Sequence, residues 1–228
     1  MTRRQPLTAD LERSLRVGGR VVAGIDEVGK GAWAGPLVVG VAVLPDEFEG
    51  GDAPGEIADS KVLSERAREA AFEVLSPWCR AWSTGWASAE ECDRLGMAEA
   101  QRLALRRSLD ALGIQVDVAV VDGRWDFVSP EISQVEMRVK ADRDVLSVAA
   151  ASILAKVTRD RHMRALAGSH QYWALDTNKG YPCLKHRTGL NAWGPSVEHR
   201  TSWAFMDTTV PWTGAPRRSR EDAAPTLF

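Results

Sequence analysis

Apolar and polar positions alternate between two textures along the first half of the chain. Val21-Val22-Ala23-Gly24-Ile25 is an apolar run that stops at Asp26-Glu27, and Gly29, Gly31 and Gly35-Pro36 follow as turn signals. Leu37 to Leu44 is then a continuous, β-branched-rich run closed by Pro45. Neither run alternates, which predicts two strands of a hairpin covered on both faces. A short helix is predicted over Ala9 to Leu15, and a loop over 45–58. Ser64 caps a predicted helix to about Leu75, with Arg66, Arg68 and Glu69 on its polar face. Arg80 to Ser88 reads as a third strand with Trp82 and Trp86 on one face, and Ser88 caps a short helix through Asp93. Met97 to Leu112 is an amphipathic helix ended by Gly113.

Val116 to Val121 predicts a fourth strand, ending in Asp122-Gly123, and Ser133 to Lys140 a short fifth. Asp142 to about Leu166 carries the strongest helical signal, with Leu146, Ala150, Ile153, Leu154 and Val157 at helical spacing. Its Ala149-Ala150-Ala151-Ser152 segment is small enough to lie close on a sheet. From Gly168 to Trp203 aliphatics give way to Tyr, Trp, His, Gly and Pro, which predicts loops and short helices, more surface than core.

Composition narrows the class. With 228 residues, 44% hydrophobic and 26% charged, the chain can bury a core without disulfides or a structural metal. Its three cysteines, Cys79, Cys92 and Cys183, are widely spaced with no C-x-x-C pair, so they predict ordinary thiols and a reducing cytoplasm. No signal peptide and no bilayer-length apolar stretch is legible, which predicts a soluble protein. A formal net charge of −2 gives no global case for binding a polyanion, so any such contact must be local. The reading divides the chain into an N-terminal extension over 1–19, one domain over 20–210, and a disordered tail over 211–228 containing Arg217, Arg218 and Arg220.

Two strands stopping at acids is the chemical signal. Asp26-Glu27 and Asp122 end strands, and Asp142 opens the long helix. In an open sheet, sites assemble at the carboxyl ends of strands. If these strands are neighbours, the carboxylates repel unless a cation sits among them. Oxygen-only ligands select hard ions such as Mg²⁺ or Mn²⁺. Each acid alone is equally readable as an N-cap or turn former, though Glu27 is a poor turn residue.

The chain also resembles the type 2 ribonucleases H, the bacterial ribonuclease HII family. Gly24-Ile25-Asp26-Glu27-Val28-Gly29-Lys30-Gly31 with Ala34-Gly35-Pro36 is similar to the family's opening signature. Asp59-Ser60-Lys61 with Leu63-Ser64, then Val121-Asp122-Gly123, then Lys140-Ala141-Asp142 and the run from Ala149 to Asp160 resemble the next blocks. Asn178-Lys179-Gly180-Tyr181 and His199-Arg200 resemble the last two, all in family order over roughly residues 20–205.

The resemblance implies an α/β, ribonuclease H-like fold: a mixed five-stranded sheet flanked by helices, with a helical C-terminal part. It implies that Asp26, Glu27, Asp122 and Asp142 hold two Mg²⁺ or Mn²⁺ ions at the scissile phosphate. The implied activity is cleavage of RNA in RNA–DNA hybrids and 5′ of ribonucleotides embedded in duplex DNA, as in ribonucleotide excision repair, leaving 3′-hydroxyl and 5′-phosphate. Gly29-Lys30-Gly31 corresponds to a loop that reads the 2′-hydroxyl through its backbone. Lys30 stands where the family has Arg, which replaces a planar fork by a point charge. Tyr181 corresponds to a tyrosine that stacks on the sugar after the ribonucleotide; read alone, it equally fills a loop core. Pro182 follows it where Gly is common. Lys61 and Lys156 correspond to phosphate contacts, Lys156 being otherwise a helix-face partner of Asp160. Ser60 either donates to a phosphate or caps a turn. No histidine matches a catalytic position, and His199-Arg200 reads as tying down the C-terminal part. The nine tryptophans are scattered and read mostly as packing.

Two other readings remain open on the residues. Another nuclease or transposase of the same core would lack Asn178-Lys179-Gly180-Tyr181 and the Gly-Lys-Gly loop. A non-catalytic hybrid-binding module would have lost a carboxylate, and all four positions are filled. The expected form is a cytoplasmic monomer that binds RNA–DNA hybrid and ribonucleotide-containing duplex, with no membrane.

Overall fold

The computed structural model describes residues 7, 9–46, 63–211, 214 and 218. Asp59, Ser60, Lys61, most of the 45–58 loop and most of the 211–228 tail lie outside the described residues. Two compact units are distinguished: Met1–Val28, Val39–Gly85 and Ala104–Val157 form the first, and Gly29–Val38, Trp86–Leu103 and Thr158–Phe228 the second.

The elements run α1 (Asp10–Leu15), β1 (Val22–Val28), β2 (Leu37–Val43), α2 (Glu65–Trp78), β3 (Ala81–Ala87), α3 (Ala89–Leu95) and α4 (Met97–Leu112). Then follow β4 (Val118–Asp122), β5 (Gln134–Arg138), α5 (Ala141–Asp144), α6 (Leu146–Leu166), α7 (Leu175–Asn178), α8 (Leu184–Trp193) and α9 (Phe205–Thr209). The five strands make one mixed sheet in the order β3-β2-β1-β4-β5. β1 and β2 are neighbours, as a hairpin requires, and both are buried over most or all of their length, so their missing alternation has a physical cause. β4 pairs parallel to β1 and β5 parallel to β4. β5 is an exposed edge strand.

The predicted caps are present. Ser64 accepts from the Ala67 N–H at the start of α2. Ser88 and Glu91 form a reciprocal capping box on α3.

In the first unit, α6 lies against the sheet where residues are smallest. A Cβ on Gly24 of β1 would fall 2.1 Å from the Ser147 carbonyl carbon, and one on Gly40 of β2 would fall 2.7 Å from the Ala151 oxygen. Beyond that contact Ala150, Ala151, Ile153, Leu154 and Val157 pack with Leu75 of α2 and Ala42 of β2. A neighbouring cluster joins Val22, Val118 and Val120 to Val145 and Val148, with Leu11 and Leu15 of α1 against it. The buried Glu12 accepts from the Ser147 N–H at 2.7 Å, so α1 supplies an acidic cap to α6.

One expectation needs correction. The helix predicted from Asp142 is two helices, because the fully buried, β-branched Val145 is extended (φ −116°, ψ 119°) and interrupts it. The Gly168–Trp203 region holds loops and short helices with more exposed than buried residues, as expected, yet it also contributes to a core. Trp173, Leu175 and Leu190 pack with Ala34, Met163, Phe205, Met206 and Val210 in the core of the second unit. Its members come from several short segments, so no single stretch shows a regular apolar spacing.

The close approach at Gly24 makes a stability prediction. Gly24→Ala should lower the urea midpoint by an amount corresponding to about 1–3 kcal/mol or more, because the methyl meets backbone that cannot rotate away. An unchanged midpoint would show that α6 does not rest on β1 at this distance.

Candidate active site

The parallel pairing of β1 and β4 decides where the strand-end acids go. Val22 pairs with Val118, and the register continues to Ile25 with Val121. The pairing ends there, one residue before Asp26 on β1 and Asp122 on β4, so the two acids follow directly on neighbouring paired residues. The Asp122 Oδ1 accepts from the Ala141 N–H at 2.9 Å, which ties β4 to the first turn of α5. Asp142 is the next residue and is buried, as is Asp26. Lys140, in the left-handed region at φ 66°, makes the turn into α5. Glu27 follows Asp26 along β1 and leaves the strand from its other side. The register also puts Arg138 of β5 beside Asp122, a cation that the sequence pattern did not single out.

The fold thus carries all four acids to adjoining backbone positions of the first unit. The side chains themselves do not converge: among the described residues, no group of three or more His, Cys, Asp or Glu is gathered closely enough to hold an ion. The donor set is nevertheless suited to a hard divalent cation, being all carboxylate and partly buried. Two carboxylates on adjacent strand positions are also poorly tolerated without a counter-charge. Lys156 is half-buried on α6 in the same unit.

The second unit holds the Gly29-Lys30-Gly31 loop and Tyr181. The Tyr181 hydroxyl accepts from the Gly29 N–H at 3.1 Å, and its ring is 4.0 Å from where a Gly31 Cβ would be. Gly29 has φ +86°, and a Cβ there would lie 2.4 Å from the Arg159 Nε, so only glycine fits. Lys30 is exposed.

The loop from 29 to 36 is held by two buried arginines. Arg159 donates to the carbonyls of Pro36 (2.8 Å), Lys179 (2.9 Å) and Ala34 (3.2 Å). Arg200 donates to the carbonyls of Lys30 (2.9 Å) and Gly35 (3.1 Å). Both side chains are fully buried, and burial pushes the Arg159 guanidinium down to about 10, still charged at neutral pH. The Arg159 guanidinium also lies 5.6 Å from the Tyr181 ring centre. Burial lowers Arg200 as well. Arg200 had been read as tying down the C-terminal part, and its hydrogen bonds carry that role to the loop. Arg159 drew no separate notice, because its block resembles any polar helix face until the carbonyls around it are seen.

Asn178, Lys179 and Gly180 shape the approach to Tyr181. Asn178 accepts from the Gly180 N–H at 2.7 Å and donates to the Trp173 carbonyl at 2.6 Å. The Gly180 carbonyl in turn accepts from the N–H groups of Trp33 and Ala34. Asp93, fully buried, accepts from the N–H groups of Thr201 and Ser202 and pairs with Arg218, an arginine of the predicted tail. The sequence pattern places Asp93 only as the end of a short helix. Trp33 stacks on Phe205 at 4.6 Å between ring centres, so this tryptophan packs rather than waits for a base.

His186 and His199 are fully buried and face each other with their Nε2 atoms 2.9 Å apart. Burial lowers both pKa values, that of His199 to about 3 with the neighbouring ring adding to the effect. Both are therefore neutral in the folded chain, whereas an unfolded histidine titrates near pH 6.5. The contribution of His199 to stability is complete above about pH 6.5 and is lost as the pH falls towards about 3, because the unfolded chain takes up a proton the fold refuses; that of His186 changes in the same direction. Denaturation measured from about pH 7 down to about pH 4 should give a falling stability, by up to about 1.4 kcal/mol per pH unit from His199. The same series on His199→Gln should be shallower; an equal slope would mean that the rings titrate normally.

Comparisons with known proteins converge. The family model described as Ribonuclease HII matches residues 23–206. A Ribonuclease HII of Streptomyces avermitilis is 41% identical over 91% of this chain and 88% of its own length. Among solved structures, the ribonuclease H2 of Pyrococcus horikoshii superposes with a TM-score of 0.67 at 28% identity, covering 82% of this chain and 96% of its own. The Bst ribonuclease HIII, solved in complex with Mn²⁺, shares the fold with a TM-score of 0.60 at 19% identity, over 86% of this chain and 71% of its own. With the strand order, the adjoining acids and the glycine loop in place, these matches show that the chain belongs to the ribonuclease HII family of endonucleases, whose ribonuclease H activity acts on RNA–DNA hybrids.

Proposed function

We propose that this chain is a divalent-metal-dependent endoribonuclease that cuts the RNA strand of RNA–DNA hybrids and also nicks 5′ of ribonucleotides embedded in duplex DNA. The observation that supports this reading is the parallel β1–β4 register, whose last pair, Ile25 with Val121, immediately precedes Asp26 and Asp122. Asp26, Glu27, Asp122 and Asp142 would hold Mg²⁺ or Mn²⁺. When bound, such ions supply Lewis acidity for the attacking water and for the departing 3′-oxygen. The Mn²⁺ complex of the distant Bst ribonuclease HIII supports this choice of cation.

The protein's own part is placement. Gly29, Lys30 and Gly31 would meet the ribonucleotide through a backbone whose shape Arg159 and Arg200 fix. With no side chain at 29 or 31, a sugar can come close enough for its 2′-hydroxyl to be read. Tyr181 would lie against the adjoining sugar. Lys30, Ser60, Lys61 and Lys156 would contact phosphates, fixing the strand's position without reading sequence. The excess of acids in the total charge is then no obstacle, since four of them face cations rather than the polyanion.

Asp26→Asn and Asp122→Asn should each reduce cleavage of a uniform hybrid by at least about a thousandfold while leaving the thermal midpoint near that of the wild type. Activity should vanish with chelator and return with Mg²⁺ or Mn²⁺. Wild-type rates in either variant would place the chemistry elsewhere. Tyr181→Ala should impair a duplex with one ribonucleotide more than an all-RNA hybrid, measured as the ratio of the two kcat/KM values; equal losses would make Tyr181 a packing residue.

A further inference from the structure

A chain of hydrogen bonds with one allowed direction runs through the core of the second unit and ends on Tyr181. At one end the Ser196 backbone N–H, which can only donate, points at the His199 Nδ1 from 2.9 Å. At the other end the Tyr181 carbonyl, which can only accept, faces the His186 Nδ1 at 3.0 Å. Between them the two Nε2 atoms are 2.9 Å apart. A neutral imidazole has one N–H and one bare nitrogen. His199 must therefore carry its proton on Nε2 and donate it to the Nε2 of His186, and His186 must carry its own on Nδ1. No other assignment makes all three bonds. The Ser196 hydroxyl, also 2.9 Å from the His199 Nδ1, is a second donor to the same bare nitrogen.

The surroundings keep this arrangement single-valued. Trp33 lies 5.8 Å from His186 and Trp173 lies 5.3 Å from His199, centre to centre, which limits rotation of either ring. Tyr181 is then tied at three atoms. Its N–H donates to the Asn178 carbonyl at 2.9 Å, its carbonyl accepts from His186, and its hydroxyl accepts from Gly29. The last of these bonds belongs to the candidate readout loop; the second is the one supplied by the histidines.

We propose that His186 and His199 are positioning residues for substrate selection: by this one-way relay they set the backbone of Tyr181 so that its ring meets the sugar beside a single ribonucleotide. The proposal rests on the reading of Tyr181 given above. His186→Leu removes the donor to the Tyr181 carbonyl, whereas His186→Asn keeps a donor close to the Nδ1 position. The relay can be observed directly in the unaltered protein by ¹⁵N NMR of its imidazoles at neutral pH. His186 should show the Nδ1–H tautomer and His199 the Nε2–H tautomer. Opposite tautomers, or a charged ring, overturn the relay.

Its consequence is read by kinetics on the two substrates. His186→Leu should lower kcat/KM on the single-ribonucleotide duplex about tenfold relative to the all-RNA hybrid, and His186→Asn should restore most of that loss. Added to Tyr181→Ala, His186→Leu should shift the preference no further. An unchanged preference in His186→Leu beside a shifted one in Tyr181→Ala overturns the positioning role alone, as does a full further shift in the double variant. An unchanged preference in Tyr181→Ala overturns the reading of Tyr181 itself. Should His186→Leu not fold, the tautomers and the preference of His186→Asn, which should stay near the wild type, decide the matter.

Discussion

The parallel pairing of β1 with β4 is the constraint on which the rest turns. These strands are nearly a hundred residues apart in the chain, yet they share a register that runs from Val22–Val118 to Ile25–Val121. A slip of one residue would turn Asp122 to the opposite face and leave Asp26 beside a valine. What prevents the slip is burial: β1 from Val22 to Asp26 and β4 from Val118 to Val121 lie inside, with α6 pressed on Gly24. The apolar core therefore fixes the lateral position of two charges, whose mutual repulsion a cation would relieve.

The two units solve different physical problems. The first supports carboxylates on a stiff sheet, with an aliphatic core and a small-residue contact under α6. The second has few strand or long-helix hydrogen bonds to organise it. Its order comes from side chains that satisfy backbone groups: Arg159 and Arg200 on carbonyls, Asn178 and Asp93 on N–H groups, and the two histidines end to end. Such a network specifies one conformation only when every member is satisfied. It is also sensitive to protonation in a way an aliphatic core is not.

This difference explains what could be read before the structure was known. The strands and most helices of the first unit follow from periodicity and caps, and Met97–Leu112 falls at the predicted limits. The adjoining acids follow from strand ends, although only the pairing shows that Asp26 and Asp122 follow neighbouring paired residues and that Arg138 pairs with Asp122. The break at Val145 is a tertiary effect, since local preference favours one continuous helix there. Asp93, Arg159 and the His186–His199 pair were illegible for a further reason. Asp93 and Arg159 bind groups remote in sequence, and the histidines bind each other and nearby backbone at separations that no regular element repeats.

The arginine clamp has an implication for how this family can vary. Arg200 grips residue 30 by its carbonyl and not by its side chain, and that side chain is exposed. The curvature of the loop is thus independent of what residue 30 presents to solvent. A lysine can stand there in place of an arginine without remodelling the backbone, so the exchange alters the charge displayed to solvent while Gly29 and Gly31 keep their conformation.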